Sequence, residues 1–477
     1  MTQKSTPNAA QFWQTLGTKF LPFADAASHE LPLGRLLRLS LFQVAVGMVA
    51  VLLTGTLNRV MILELGVSTT LVAVMVALPF LFAPARALIG FKSDTYRSIL
   101  GWRRVPYIWF GTLTQFGGLA IMPFALLLLQ SQTLGPTWLG PVAAAVAFLS
   151  VGIGIHMVQT AGLALATDLA PEHTRPRVVA LVYVMLLVGM LFSAILFSYL
   201  LQDFTPKRLI QVVQGAAAAT MVLNVIALWK QEPRRRGGVN MDLKNPSFLT
   251  SWVQFRQDKR SLRLLVALGL GTIGFSMQDV LLEPYGGEVL GLSVAQTTLL
   301  TALFAGGTLA GFALAGRTLG RGTDPHRMAA VGVLIGVTAF CFVIFAAPFG
   351  SATLFRVGTA LIGLGGGLFA VGTMIACMDM AETSGSGLVL GAWGAVQASA
   401  VGIGLASGGI IRDVAGSAAL SGAFGSAFRD PALGYSVVYH LEIGFLFASL
   451  IAIGPIVRVM TPDTPQTAKI GLADLPG

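Results

Sequence analysis

Twelve apolar runs, each of about 20 residues or more, follow one another along this chain. They lie near 35–58, 69–91, 105–130, 139–168, 177–202, 207–230, 262–283, 293–316, 327–348, 352–379, 387–411 and 435–459. A helix needs roughly 20 apolar residues to cross a bilayer. Inside hydrocarbon every backbone N–H and C=O must find a partner, so each run is predicted to be a helix. Composition agrees. Of the 477 residues, 55% are hydrophobic and 11% charged, against about 25% charged in soluble domains. So much apolar surface must face lipid. The fold class expected is an all-α membrane protein with twelve transmembrane helices.

Lysine and arginine placement orients the spans. Counting the loops alternately, 24 basic residues fall on the side of the N-terminus and 6 on the other, with Arg86 inside span 2. The positive-inside rule puts both termini in the cytoplasm. The net charge of +10 therefore reports topology, and no nucleic-acid motif accompanies it. Cys341 and Cys377 both sit in apolar runs and read as small core residues rather than a disulfide framework. Residues 1–34 lack the pattern of a cleavable signal. Phe12, Trp13, Leu16, Phe20 and Phe23 recur at helical spacing there, which predicts an amphipathic helix on the membrane surface.

The chain divides into a cytoplasmic N-terminal segment (1–34), a six-helix half (35–230), a linker (231–261), a second six-helix half (262–460) and a tail (461–477). The linker holds Arg234, Arg235 and Arg236, and its Phe248, Trp252 and Phe255 predict a surface helix. The halves resemble each other weakly. LGVS (65–68) precedes span 2 and LGLS (290–293) precedes span 8. DLAPE (168–172) ends span 4 and DMAE (379–382) ends span 10, with Asp168, Glu172, Asp379 and Glu382 as helix-end acids. Two six-span halves joined by a long cytoplasmic loop resemble the major facilitator superfamily. The loop GFKSDTYRSILGWRR (90–104) resembles that superfamily's signature after helix 2. The likeness assigns the packing role of its acid to Asp94 and a leaflet-facing role to Arg103 and Arg104, with Gly90 and Gly101 at the turns. About three residues are extra between Asp94 and Gly101, and the second-half counterpart has Gly320 where an acid is expected. That departure puts conventional alternating access in question.

Ionisable groups inside a span are costly and usually functional. The candidate intramembrane network is Arg59, Arg86, Asp279 and Glu283. Asp279 and Glu283 stand four residues apart in span 7, on one helix face. Either they couple proton movement, or they are helix-end acids paired with Arg59 and solvent. The run ends in a Glu283-Pro284-Tyr285-Gly286-Gly287 break, and Glu288 is expected to leave the membrane. His156, among small residues in span 4, either ligates a flat metal tetrapyrrole or bonds across a helix interface; Gln159 lies near it. Gly307-xxx-Gly311, Gly363-xxx-Gly367 and Gly404-xxx-Gly408 fit close helix packing. Residues 414–434 are expected to form a long small-residue loop.

Four blocks carry a closer likeness: GWRRVPYIWFG (101–111), TAGLALATD (160–168), VLNVIALWKQE (222–232) and SMQDVLLEPYGG (276–287). With KIGLA (469–473) they resemble the PucC/LhaA family, the bacteriochlorophyll-delivery branch of the facilitator superfamily in purple phototrophic bacteria. The resemblance implies a non-enzymatic assembly factor for light-harvesting complexes in the intracytoplasmic photosynthetic membrane. It implies bacteriochlorophyll a as cargo, with carotenoid or lipid as further candidates. It implies antenna polypeptides as partners, LH1 ahead of LH2, with the reaction centre, chlorophyll synthase and a second copy of the chain as further ones. His156, Gln159, Gln278 and Tyr285 are the pigment-binding candidates; no protein metal site is expected. The competing readings are a proton-coupled solute transporter and a pigment-free scaffold.

Overall fold

The computed structural model of the chain describes residues 31–81, 102–129, 136–171, 174–232, 259–319, 321–384, 386–423, 425 and 429–457. The described residues are helical with short connections, and no strand occurs among them. The helices are α1 (Leu33–Glu64), α2 (Thr69–Leu81), α3 (Val105–Leu128), α4 (Leu139–Leu169), α5 (Arg175–Leu200), α6 (Pro206–Leu228), α7 (Lys259–Ser276), α8 (Leu282–Glu288), α9 (Val294–Leu319), α10 (Pro325–Ala346), α11 (Ala352–Ser384), α12 (Ser386–Leu420) and α13 (Ala432–Ile453). Eleven are long and apolar enough to cross a membrane. The predicted second span contributes α2, and its remainder lies outside the described residues. The start of α1 bonds the chain just after α6 through Arg35 and Gln231, and the start of α7 bonds the chain just after α13 through Arg260 and Ile456; the face that holds these ends is here the terminal face, and the opposite one is the far face.

The two six-helix halves meet through α2 against α12 and α5 against α9. Within the second half, α11 packs on α9 and α10, and α13 packs on α7. The expected glycine pairs explain the first of these. A Cβ on Gly307 would strike the Ala360 carbonyl, and one on Gly363 the Phe304 carbonyl, so the two motifs interlock backbone to backbone. Gly404 and Gly408 similarly lie against Ser276 and Met277.

The weak repeat is real in structure. Gly66 and Gly291 both adopt left-handed φ, 65° and 66°, which glycine tolerates without strain. Each ends a helix in the same way: the next residue's N–H (Val67, Leu292) bonds the carbonyl six residues back (Met61, Gly286) at 2.9 Å. Ser68 and Ser293 then accept the N–H three residues on, each at 3.3 Å, and so start α2 and α9 with one N-cap.

Span 7 departs from expectation. Its break falls at Met277–Val280, a tighter 3₁₀ stretch, one turn before Pro284. The Pro-Tyr-Gly-Gly segment is helical, as α8. Pro284 occupies the third position of α8, where no intrahelical N–H bond is lost. The loop expected at 414–434 is also shorter, because α12 continues to Leu420. Arg412 and Asp413 are therefore helical residues. The N-terminal amphipathic segment, Arg86, Gly90, Asp94, Gly101, Glu172, Gly320, the predicted surface helix with Phe248, Trp252 and Phe255, and 469–473 lie outside the described residues. So do the side chains of Asp379 and Glu382.

Candidate functional site

Three of the four distinctive sequence blocks meet on the terminal face. Arg104, at the start of α3 and 5% exposed, donates from Nε to Asp168 Oδ2 of α4 at 3.0 Å. Glu232, just after α6, accepts the backbone N–H groups of Arg103 (2.7 Å), Arg104 (3.1 Å) and Val105 (2.9 Å). A carboxylate there satisfies donors that a helix start leaves orphaned and meets the positive end of its dipole. Beside it, Arg35 at the start of α1 bonds the Gln231 side chain at 3.0 Å and its carbonyl at 2.7 Å. Blocks 101–111, 160–168 and 222–232 thus staple α1, α3, α4 and α6 together. Arg104 turns inward to Asp168 rather than toward a leaflet, which corrects the role expected from the loop signature.

The fourth block forms the far-side seam between the halves. There α1 winds wider than an α-helix over Val51–Thr56 and Val60–Glu64, a distortion common at functional sites. Asn58, between these stretches, donates to the carbonyls of Val280 (3.3 Å) and Asp279 (3.4 Å) in the span 7 break. The break exposes those carbonyls, so an amide from the other half can take them. Thr56 Oγ1 meets Thr298 Oγ1 at 3.3 Å, and Ser198 donates to the Ala295 carbonyl at 2.7 Å. Asp413 of α12 accepts the Thr70 N–H of α2 at 2.6 Å.

The predicted network is only partly assembled here. Arg59 is 6% exposed and pairs with Glu64 at 2.7 Å; its second nitrogen donates to the Leu292 carbonyl at 3.3 Å. Its charge acts on Glu283 through space. Glu283 is buried and accepts from Thr301 at 2.7 Å. A Cβ on Gly55 would stand 2.5 Å from Glu283 Oε1 and 2.9 Å from Thr301 Oγ1, so a larger residue would displace that pair. Asp279 instead accepts from Gln278 Nε2. Asp279 lies in the 3₁₀ stretch and Glu283 at the start of α8, with the junction of the two elements between them.

His156 is 8% exposed and meets Phe80 of α2 edge-on at 6.1 Å. Gln159 stands one turn along α4. Gln278 is buried in the break. Tyr285 donates to the Val343 carbonyl at 3.2 Å and packs against Phe355, Tyr435 and Tyr439, each at 5.4 Å. It also lines a cavity of about 560 Å³ at the far end of the second half. The four pigment candidates thus divide between α4, with His156 and Gln159, and the span 7 break and α8, with Gln278 and Tyr285. Among the described residues no three or more His, Cys, Asp or Glu gather as a metal would require.

Glu288 is exposed at the end of α8, as expected, and it accepts there from Arg412 (2.6 Å) and the Tyr435 hydroxyl (2.6 Å), while Arg412 also pairs with Asp413 at 2.9 Å. One acid escapes a reading by apolar runs. Glu442, in the middle of α13, is fully buried. An acid seven residues inside the predicted span 12 was a visible signal that averaging over an apolar run conceals.

Two six-helix halves, paired α2 to α12 and α5 to α9, define a major facilitator fold. A bacterial homologue of the human lysosomal transporter Spinster, inward-facing and unoccupied, superposes with a TM-score of 0.68 at 14% identity, over 88% of this chain and 95% of that one. That likeness establishes the fold alone. The PUCC protein family profile matches residues 56–461, and the chain belongs to that family. It is 58% identical to Protein PucC of Rhodovulum sulfidophilum over 84% of this chain and 89% of that one. It is 28% identical to the bacteriochlorophyll synthase 44.5 kDa chain of Rhodobacter capsulatus over 88% and 95%.

Proposed function

We propose that this chain is an assembly factor for the light-harvesting complexes of purple phototrophic bacteria. In this reading it carries bacteriochlorophyll a and docks single-span antenna polypeptides as their ring grows, with LH1 the preferred client. It acts by binding rather than catalysis. It resides in the intracytoplasmic photosynthetic membrane with both termini cytoplasmic, as the basic-residue asymmetry supports. Membership of the PUCC protein family over residues 56–461 carries the reading. A relative whose name is that of a bacteriochlorophyll synthase chain supports the choice of pigment.

The pigment supplies the absorbance and the groups that the antenna binds. This chain's part is to hold and orient it. His156 has the chemistry of an axial ligand, yet its imidazole is packed against Phe80 and nearly buried. It fits a pigment only when α2 withdraws. Tyr285 lines a cavity of about 560 Å³, within the range of about 300–1,000 Å³ typical of ligand sites. The test is an absorption spectrum of the protein purified in mild detergent, set beside antenna levels in a deletion strain. Bound bacteriochlorophyll together with impaired antenna assembly is expected. A colourless protein with assembly unimpaired overturns the proposal, and antenna co-purifying without pigment favours a scaffold.

A second reading rests on one observation, the acid Glu283 buried at the seam of a transporter fold. A proton-coupled transporter would collapse an imposed pH gradient in proteoliposomes when its solute is added, and Glu283→Gln would abolish that.

A further inference from the structure

Glu442 presents an accounting problem. Its carboxylate is fully buried, and neither oxygen bonds a side chain; the Gln278 backbone N–H is the hydrogen that faces it. An isolated buried carboxylate is among the most costly groups a fold can carry. One turn before it, Tyr439 is fully buried with an unpartnered hydroxyl. Across the α7–α13 contact, Gly274 brings the backbones so close that a Cβ would stand 3.1 Å from the Glu442 carbonyl. One turn beyond Gly274 lies the break, where Gln278 is 1% exposed and its Oε1 is unpartnered. Asp279, next along, is the charged group that acts on Glu442.

The surrounding cations are committed elsewhere. Arg59 holds Glu64, Arg412 holds Glu288 and Asp413, and Arg263, at the start of α7, donates to the Ala452 carbonyl at the opposite end of α13. From the other neighbours, Tyr285 and Tyr435 face Tyr439. Among the side chains, three acceptor oxygens, two on Glu442 and one on Gln278, therefore stand against one orphan donor, the Tyr439 hydroxyl. One added hydrogen turns an acceptor into a donor and leaves two of each, and the charges of Asp279 and Glu442 repel while both acids are ionised. With only two acids, the cluster falls short of a metal's donor set.

We propose that Glu442 and Asp279 form a proton-binding site, in which Glu442 carries one proton in the folded protein at neutral pH. The protonated carboxyl then donates toward Gln278 Oε1 or Asp279, and the Tyr439 hydroxyl serves the remaining oxygen. The site requires neither pigment nor solute, and so stands apart from the proposed function. It does touch the seam, because the same break offers its carbonyls to Asn58.

Infrared difference spectra of the purified full chain test it. Wild type minus Glu442→Gln at neutral pH should show the C=O band of one protonated carboxyl, absent from a difference taken with Glu64→Gln. A proton bound by the folded state and not by the unfolded one makes stability fall as pH rises. The wild-type melting temperature should therefore drop toward alkaline pH, and Glu442→Gln, a neutral isostere, should flatten that drop while folding normally. Glu442→Gln spectra that superimpose on wild type overturn the proposal. So does a Glu442→Gln protein that fails to fold or melts as low as Glu442→Ala at neutral pH. Stabilisation of wild type by sodium or calcium ions, lost in Glu442→Gln, assigns the site to a metal cation and also overturns it.

Discussion

Glu232 shows how much a single side chain can settle in this fold. One carboxylate takes three N–H groups at the start of α3, and it reaches them from the end of α6. Capping contacts of this type are worth about 1 kcal/mol each at a helix start. Glu232→Ala should destabilise the protein by about 1–2 kcal/mol, read as a lowered melting temperature in detergent. Asp168→Asn should cost less, because the Asp168 side chain is 46% exposed and exposed ion pairs contribute about 0.2–1 kcal/mol. Gly55 is the other decisive position. Gly55→Ala should push Glu283 off Thr301. Its cost should shrink in a Thr301→Val background, where that bond is already absent; equal costs in both backgrounds would refute the coupling. Of these residues, Asp168 and Glu283 stood out in the sequence because acids in apolar runs do. Glu232 did not, because its role depends on a helix start about 130 residues away in the chain. Glu442 is one acid inside a long apolar run, where the average hydropathy conceals it.

Among elements, the helices themselves were written in hydropathy, and their breaks were not. Eleven predicted runs begin or end within a few residues of the observed helices, since length and apolarity decide where a backbone can cross lipid. Span 7 departs from its expected break because proline and glycine look like breakers. Pro284 sits harmlessly in a first turn, and the true break at Met277–Val280 holds no glycine or proline. Packing places it: Gly408 of α12 lies against the Met277 carbonyl and Asn58 of α1 takes the carbonyls beyond. Packing also separates neighbouring glycines in α9. Gly307 abuts the Ala360 carbonyl, whereas Gly306 has open space around its Cα. Gly307→Leu should therefore force α9 from α11 and cost about 3 kcal/mol or more, appearing as loss of the monodisperse peak in size-exclusion chromatography. Gly306→Leu should elute and melt like wild type. Equal effects would show that the two helices are not in backbone contact.

At the scale of the whole molecule, the polar contacts across the far side of the halves bear on what kind of cargo the fold can serve. Thr56 to Thr298, Ser198 to Ala295, Asn58 to the break and Asp413 to Thr70 all join one half to the other there. A transporter that releases solute on that side must break every one of them in each cycle. A lipophilic pigment that begins and ends its passage within the membrane has no such need, because it can enter and leave sideways between helices. The two readings therefore part on one experiment. With Cys341 and Cys377 replaced by alanine, Thr56→Cys and Thr298→Cys place two thiols where the hydroxyls stand 3.3 Å apart, and oxidation should join them in high yield. The cross-linked protein should still support antenna accumulation when it is the only copy in the cell, measured by the absorbance of the assembled complexes. If accumulation stops on oxidation and returns on reduction, far-side opening is part of the work, and lateral delivery is the wrong mechanism.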